Sequence, residues 1–145
     1  MAERVLVMDP GERTGWCTAE LSEKGIRKVT QGVHPIKDLA LAVYNNTEKY
    51  DTFVYETWRL YPHMAKKLVG NDMQPSQFIG MIRLIGWLNP RIKLVSQGAN
   101  LKETGMKVMP PNVRKRLRLS SEQHDKDALM HLSAYWFNNY AGAPK

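Results

Sequence analysis

Arg4 to Met8 is a short, nearly continuous apolar run, the pattern of a strand buried on both faces. Asp9-Pro10-Gly11 ends it, because proline removes a ladder donor and glycine permits a sharp turn. Thr14 to Leu21 resumes as a second strand, with Trp16 and Cys17 near its start. Glu23-Lys24-Gly25 reads as another turn. Ile26 to His34 is a third strand, in which Ile26, Lys28 and Thr30 alternate against Arg27, Val29 and Gln31. Tight turns between these three predict an antiparallel meander.

The pattern then becomes helical. Leu39, Ala40, Ala42, Val43 and Tyr44 suit a helix from Ile36 to Lys49. Thr52 to Glu56 is a fourth strand that ends on an acid. Residues 57–73 read as a loop or short helix, punctuated by Pro62, Gly70 and Asn71. Pro75 marks the start of a helix from Ser76 to Leu88, and Asn89-Pro90 ends it. Ile92 to Val95 predicts a fifth strand. Residues 97–119 are basic and poorly periodic, broken by Pro110-Pro111. A final helix runs from Ser121 to Tyr140, and Ser120 and Gln123 have capping-box spacing at its start. The order βββ-α-β-α-β-α predicts an α/β domain whose sheet has an antiparallel side and a parallel side.

The 145 residues suit one domain over 1–145. A chain of this length hides roughly 68–70% of its unfolded surface. No apolar run approaches the ~18 residues of a membrane-spanning helix. The acidic start at Glu3 predicts no export signal. The single cysteine, Cys17, excludes an internal disulfide, so a reducing, cytoplasmic setting is expected. The net charge of +7 is unevenly spread. Residues 59–118 carry 12 basic and 2 acidic side chains, while residues 1–58 carry 7 and 9. Such a basic middle suits a polyanionic partner, or a solvated face.

Candidate chemistry lies outside that middle. Asp9 and Glu56 each end a predicted strand. A right-handed crossover through the intervening helix sets the fourth strand parallel to and beside the first. Both carboxylates then share the sheet end where α/β folds gather ligands. On the final helix, His124 and Asp127 are three apart and face one way, and His131 extends the stripe. Each piece alone also has a structural reading: acids begin polar loops and favour helix N-termini. Together they can surround divalent ions with oxygen and imidazole ligands. Two such ions roughly 3.5–4 Å apart hold the attacking water and leaving oxygen of a phosphodiester in line.

Val5-Leu6-Val7-Met8-Asp9-Pro10-Gly11 with Thr14-Gly15 resembles the opening strand and turn of RuvC-like Holliday junction resolvases. Val54-Tyr55-Glu56 resembles their second acidic strand, and His124-Asp125-Lys126-Asp127-Ala128-Leu129 their closing helix. The His-x-x-Asp variant and the compact chain look most like phage-encoded members, which act in the host cytoplasm. The resemblance implies a ribonuclease H-like fold: a mixed five-stranded sheet, antiparallel through the first three strands and parallel through the first, fourth and fifth, with helices on both faces. It implies a metal-dependent, structure-selective endodeoxyribonuclease acting on four-way or other branched DNA, as a homodimer and without a membrane. Asp9, Glu56, His124 and Asp127 then stand as catalytic and metal-binding residues for two ions, Mg²⁺ or Mn²⁺. His124 stands where many bacterial members have a further Asp, which suits Mn²⁺. Asp125 is its rival for that role, though helical geometry points it nearer the apolar face.

Given that activity, Arg59, Lys102, Lys107, Arg114, Lys115, Arg116 and Arg118 are candidate phosphate contacts, with Lys66 and Lys67 weaker ones. The helix from Ser76 to Leu88 is apolar nearly all round, which suits the core or a dimer interface. Three other functions compete. A non-catalytic DNA-binding module on the same fold would need no acids. A ribonuclease H or flap-type nuclease would use the same ones. An actin-like ATP-binding protein would need two domains to close over its nucleotide.

Overall fold

The computed structural model describes residues 2–11, 13–57, 74–120 and 122–141. Five strands form one sheet: β1 (Glu3–Asp9), β2 (Arg13–Ser22), β3 (Gly25–Pro35), β4 (Thr52–Glu56) and β5 (Lys93–Gln97). Their order across the sheet is β3-β2-β1-β4-β5. β1 to β3 form the antiparallel meander, while β1, β4 and β5 run parallel. The sheet is therefore mixed, as its pattern predicts.

Helices cover both faces. α1 (Ile36–Tyr44) and α2 (Gln74–Leu88) lie on one. Leu6, Met8, Phe53 and Tyr55 from the strands meet Leu39, Val43, Phe78 and Ile82 there. α5 (Gln123–Trp136) lies on the other, flanked by α3 (Leu101–Val108) and α4 (Pro111–Leu119). Val5, Val7, Cys17 and Val54 meet Leu129, Leu132 and Tyr135 on that side. β1 thus sends alternate side chains into two cores, which explains its unbroken apolar run. Leu129 and Leu132 are fully buried, so truncating either to alanine costs about 2–5 kcal/mol.

Several boundaries differ from the sequence pattern, among them β5, which runs on to Gln97 where the pattern ends it at Val95. Residues 36–49 divide into α1 and a 3-10 turn at Thr47–Lys49, because Asn45 and Asn46 close the helix. The stretch 97–119, which shows little periodicity, holds α3 and α4. The two are separated at Met109-Pro110, where Pro111 opens the second helix. The final helix starts at Gln123, and a π-helical turn over Phe137–Ala141 continues it. Its capping box does not form. The single Ser120 hydroxyl proton is shared between the Glu122 carbonyl and Asp125, while the Gln123 amide donates to Asp127 Oδ1 at 2.8 Å. The predicted loop at 57–73 lies, beyond Thr57, outside the described residues.

Candidate active site

β1 and β4 pair in parallel, with Met8 opposite Tyr55. The next residue of each strand is an acid, so Asp9 and Glu56 emerge side by side at one sheet edge. Both are nearly buried, at 7% and 9% exposure. Tyr55 and Met8 point into the α1–α2 core, which leaves the two acids on the α5 side.

The start of α5 closes over this edge. His124 Nδ1 lies 3.5 Å from Asp9 Oδ2. Gly15 makes this approach possible. It sits opposite Asp9 in the β1–β2 ladder, and its α-carbon faces the backbone of His124 and Asp125 with no room for a side chain. Asp127, one turn on, faces the site with its side chain 14% exposed.

Lys102 enters from the first turn of α3. Its ammonium is 3.4 Å from Glu56 Oε1 and 3.6 Å from Asp127 Oδ2. α3 is held close because Gly105 packs directly on the Met130 carbonyl of α5. Burial works against the Lys102 charge, but Glu56, Asp127 and Asp9 outweigh it and raise the ammonium above its ordinary value. Lys102, by its sequence a candidate phosphate contact, sits here between two carboxylates of the site.

The acids themselves are short of positive charge. Burial, and then the neighbouring Glu56, push the Asp9 carboxyl up to about 9. Burial pushes Glu56 the same way. His131, the proton shared with Asp9 and the Lys102 ammonium overcome it and hold Glu56 down at about 2. Carboxyls this close resist ionising together, and burial directs the upward shift to Asp9.

Two contributors carry no motif. His131 is fully buried, with Nε2 3.6 Å from Glu56 Oε2. Gln97, at the end of β5, lies behind it, its Nε2 3.0 Å from His131 Nδ1. The helical stripe through Asp127 includes His131. Nothing in the sequence indicates that Gln97 reaches it.

The remaining candidates lie apart. Asp125 is buried and accepts hydrogen bonds from Ser120 and from Gln31 Nε2 at 3.3 Å. Those bonds hold it against β3, away from Asp9 and Glu56. Arg114 donates to the carbonyls of Met106 at 2.7 Å and Met109 at 3.3 Å. Arg116 donates to Gln31 Oε1 at 3.0 Å. Lys107 pairs with Glu103 at 3.5 Å on the exposed side of α3. Lys115 and Arg118 are exposed on α4. Arg59, Lys66 and Lys67 lie outside the described residues.

The donor set suits a hard divalent cation: carboxylate oxygens from Asp9, Glu56 and Asp127, and an imidazole from His124. The upward-shifted Asp9 carboxyl and the ammonium between Glu56 and Asp127 mark where added positive charge is stabilised. Among the described residues, no three acidic, histidine or cysteine side chains converge as a ready-made cation cage. The fit is therefore one of donor chemistry and charge.

No protein-family model matches the chain, and no curated protein matches it in sequence. Its fold does match solved structures. T. thermophilus RuvC, in complex with Holliday junction substrate, superposes with a TM-score of 0.63 and 11% identity over 94% of each chain. The yeast mitochondrial Holliday junction resolvase Ydc2 gives a TM-score of 0.61 and 15% identity, over 96% of this chain and 79% of that one. The fowlpox virus Holliday junction resolvase gives 0.58 and 10%, over 93% and 99%. At these identities the likeness is one of fold, the ribonuclease H-like fold of these resolvases.

Proposed function

We propose that this protein is a divalent-metal-dependent endodeoxyribonuclease that hydrolyses phosphodiesters in four-way or other branched DNA. The observation that carries the reading is the meeting of Asp9, Glu56 and Asp127 at one sheet edge, beside a lysine, on a fold shared with three Holliday junction resolvases. Asp9, Glu56 and Asp127 would offer oxygens, and His124 an imidazole, to two ions of Mg²⁺ or Mn²⁺. Ions bound there would supply an activated water and offset charge on the phosphate. The protein's own groups do the rest. The two parallel strands fix the carboxylates on a rigid edge. Lys102 balances the acids and faces an incoming phosphate with a fixed positive charge. Lys115 and Arg118 are exposed on α4 and free of the bonds that tie down Arg114 and Arg116, and phosphate binding through them would weaken steeply with salt.

A homodimer completes the reading, because a two-fold junction needs paired cuts. Its support is apolar surface: Leu41 and Tyr44 on α1, and Leu84, Trp87 and Leu88 on α2, are each more than half exposed. The inner face of α2 serves the core, through Phe78, Ile82 and Ile85. Light scattering of Trp87→Glu should show a monomer of unchanged fold, since a surface substitution costs about 0.5 kcal/mol or less.

The activity test is a substrate panel of labelled four-way junction, flap, plain duplex and RNA–DNA hybrid, in Mg²⁺ and in Mn²⁺. Paired symmetric cuts in the junction are expected. Cutting of the hybrid alone would make the protein a ribonuclease H. Salt-sensitive binding without cleavage would make it a binding module.

A further inference from the structure

His131 is the one fully buried histidine among the described residues, and it lies beside Glu56 without touching the open side of the site. Its surroundings assign its protons. Gln97 Nε2 lies 3.0 Å from His131 Nδ1 and 3.0 Å from the His131 carbonyl oxygen. A carbonyl oxygen only accepts, so the atom facing it must be the amide nitrogen rather than the amide oxygen. That nitrogen has two protons, and one goes to each neighbour. Nδ1 is then an acceptor and carries no proton, so the ring proton belongs on Nε2. Nε2 has no hydrogen-bond partner within ordinary reach, and its near neighbour is Glu56 Oε2 at 3.6 Å. The other oxygen of that carboxylate, Oε1, faces Lys102.

We propose that Gln97 and His131 form a positioning relay that reserves Oε2 of Glu56 and leaves Oε1 as its single oxygen donor to the site. Gln97 fixes the ring by two bonds, one to the side chain and one to the backbone. His131 then aims an N–H at Oε2. The present distance is longer than a hydrogen bond, and such contacts tighten when a site is loaded. Without the relay, Oε2 loses its reserved neighbour while Lys102 still holds Oε1, and both oxygens become open to the same cation. His131 touches no reacting atom, so it is a positioning residue. The inference rests on the proposed metal site for its consequence, though not for the proton assignment.

Two measurements on the full chain test it. The first is a long-range ¹H–¹⁵N spectrum of the wild-type protein without metal, with the His131 ring identified by the signals lost in His131→Gln. The expected result is a proton on Nε2 and a bare Nδ1. A proton on Nδ1 alone would overturn the relay. The second is Mn²⁺ affinity, read by calorimetry or by the electron paramagnetic resonance of free Mn²⁺. His131→Leu and Gln97→Leu should each weaken binding about 10- to 100-fold, the usual cost of losing an outer-shell partner. His131→Gln, which keeps an N–H of similar reach, should recover most of it. Wild-type affinity in both leucine variants, with folding confirmed by circular dichroism, would overturn the relay. A wild-type protein that binds no Mn²⁺ would overturn the metal reading, and the ring proton would still decide the relay.

Discussion

Gly15 should be among the most sensitive small residues in the chain. A β-carbon added there would sit far inside contact distance of the His124 carbonyl and 2.5 Å from the Asp125 amide nitrogen. These are backbone atoms and cannot swing aside. Gly15→Ala must therefore part β2 from the start of α5, by about 1 Å in an interior packed to crystal-like density. Overpacking of this kind costs about 1–3 kcal/mol. In a chain of this size that lowers Tm by about 3–10 °C. The larger effect falls on chemistry, because the displaced turn carries His124 and leads into Asp127. A misplacement near 1 Å costs about 10²-fold in rate. Single-turnover cleavage of a four-way junction, with binding followed in parallel, should show kcat reduced by that order and affinity nearly unchanged. Gly80→Ala is the control, since a β-carbon there meets nothing within 4 Å. It lies within α2 and should gain up to about 1 kcal/mol in stability from helix propensity. A Gly15→Ala protein with wild-type Tm and wild-type cleavage would refute the packing argument.

Two further outcomes are expected. Lys102→Ala should slow cleavage about 10²-fold, as loss of a fixed positive group at a developing charge does, and change junction affinity far less. A drop in affinity as large as the drop in rate would return Lys102 to the role of a simple phosphate contact. Asp51→Asn should flatten the acid limb of the Tm profile. The hydrogen bond from Arg4 is the chief cause that holds the Asp51 carboxyl below its ordinary 3.8. A lowered folded value means that stability is present above pH 3.8 and is lost as pH falls through the folded value. Both partners are over 40% exposed, so solvent keeps the effect below about 1 kcal/mol. A gap between wild type and variant that widens on acidification would reverse the assignment.

The sheet was legible because its strands announce themselves locally. β1 is apolar on both faces because it serves two cores, and Asp9-Pro10-Gly11 closes it. Glu56 follows from the same logic at the end of β4. α3 was not legible, because it docks through Gly105, a residue with no side chain to register as apolar. α4 buries Val113 within a run of arginines and a lysine, so its pattern looks like a solvated loop. The inward turn of Lys102 depends on that unseen helix. The capping box failed because its two partners found better ones, Ser120 with Asp125 and Gln123 with Asp127. Gln97 and His131 are 34 residues apart, and only the packing of α5 beside β5 brings them together.

The central claim is that Asp9, at the shared edge of β1 and β4, serves metal-dependent DNA cleavage. The most direct test compares wild type with Asp9→Asn on one symmetric four-way junction in Mg²⁺ and in Mn²⁺, measuring binding and cleavage together. Burial and the neighbouring Glu56 already disfavour a charge on Asp9, so an uncharged asparagine of the same size should fit with little change in fold. The account predicts paired nicks from the wild type, and equal binding by Asp9→Asn with no measurable cutting. Cleavage by Asp9→Asn at the wild-type rate would contradict it.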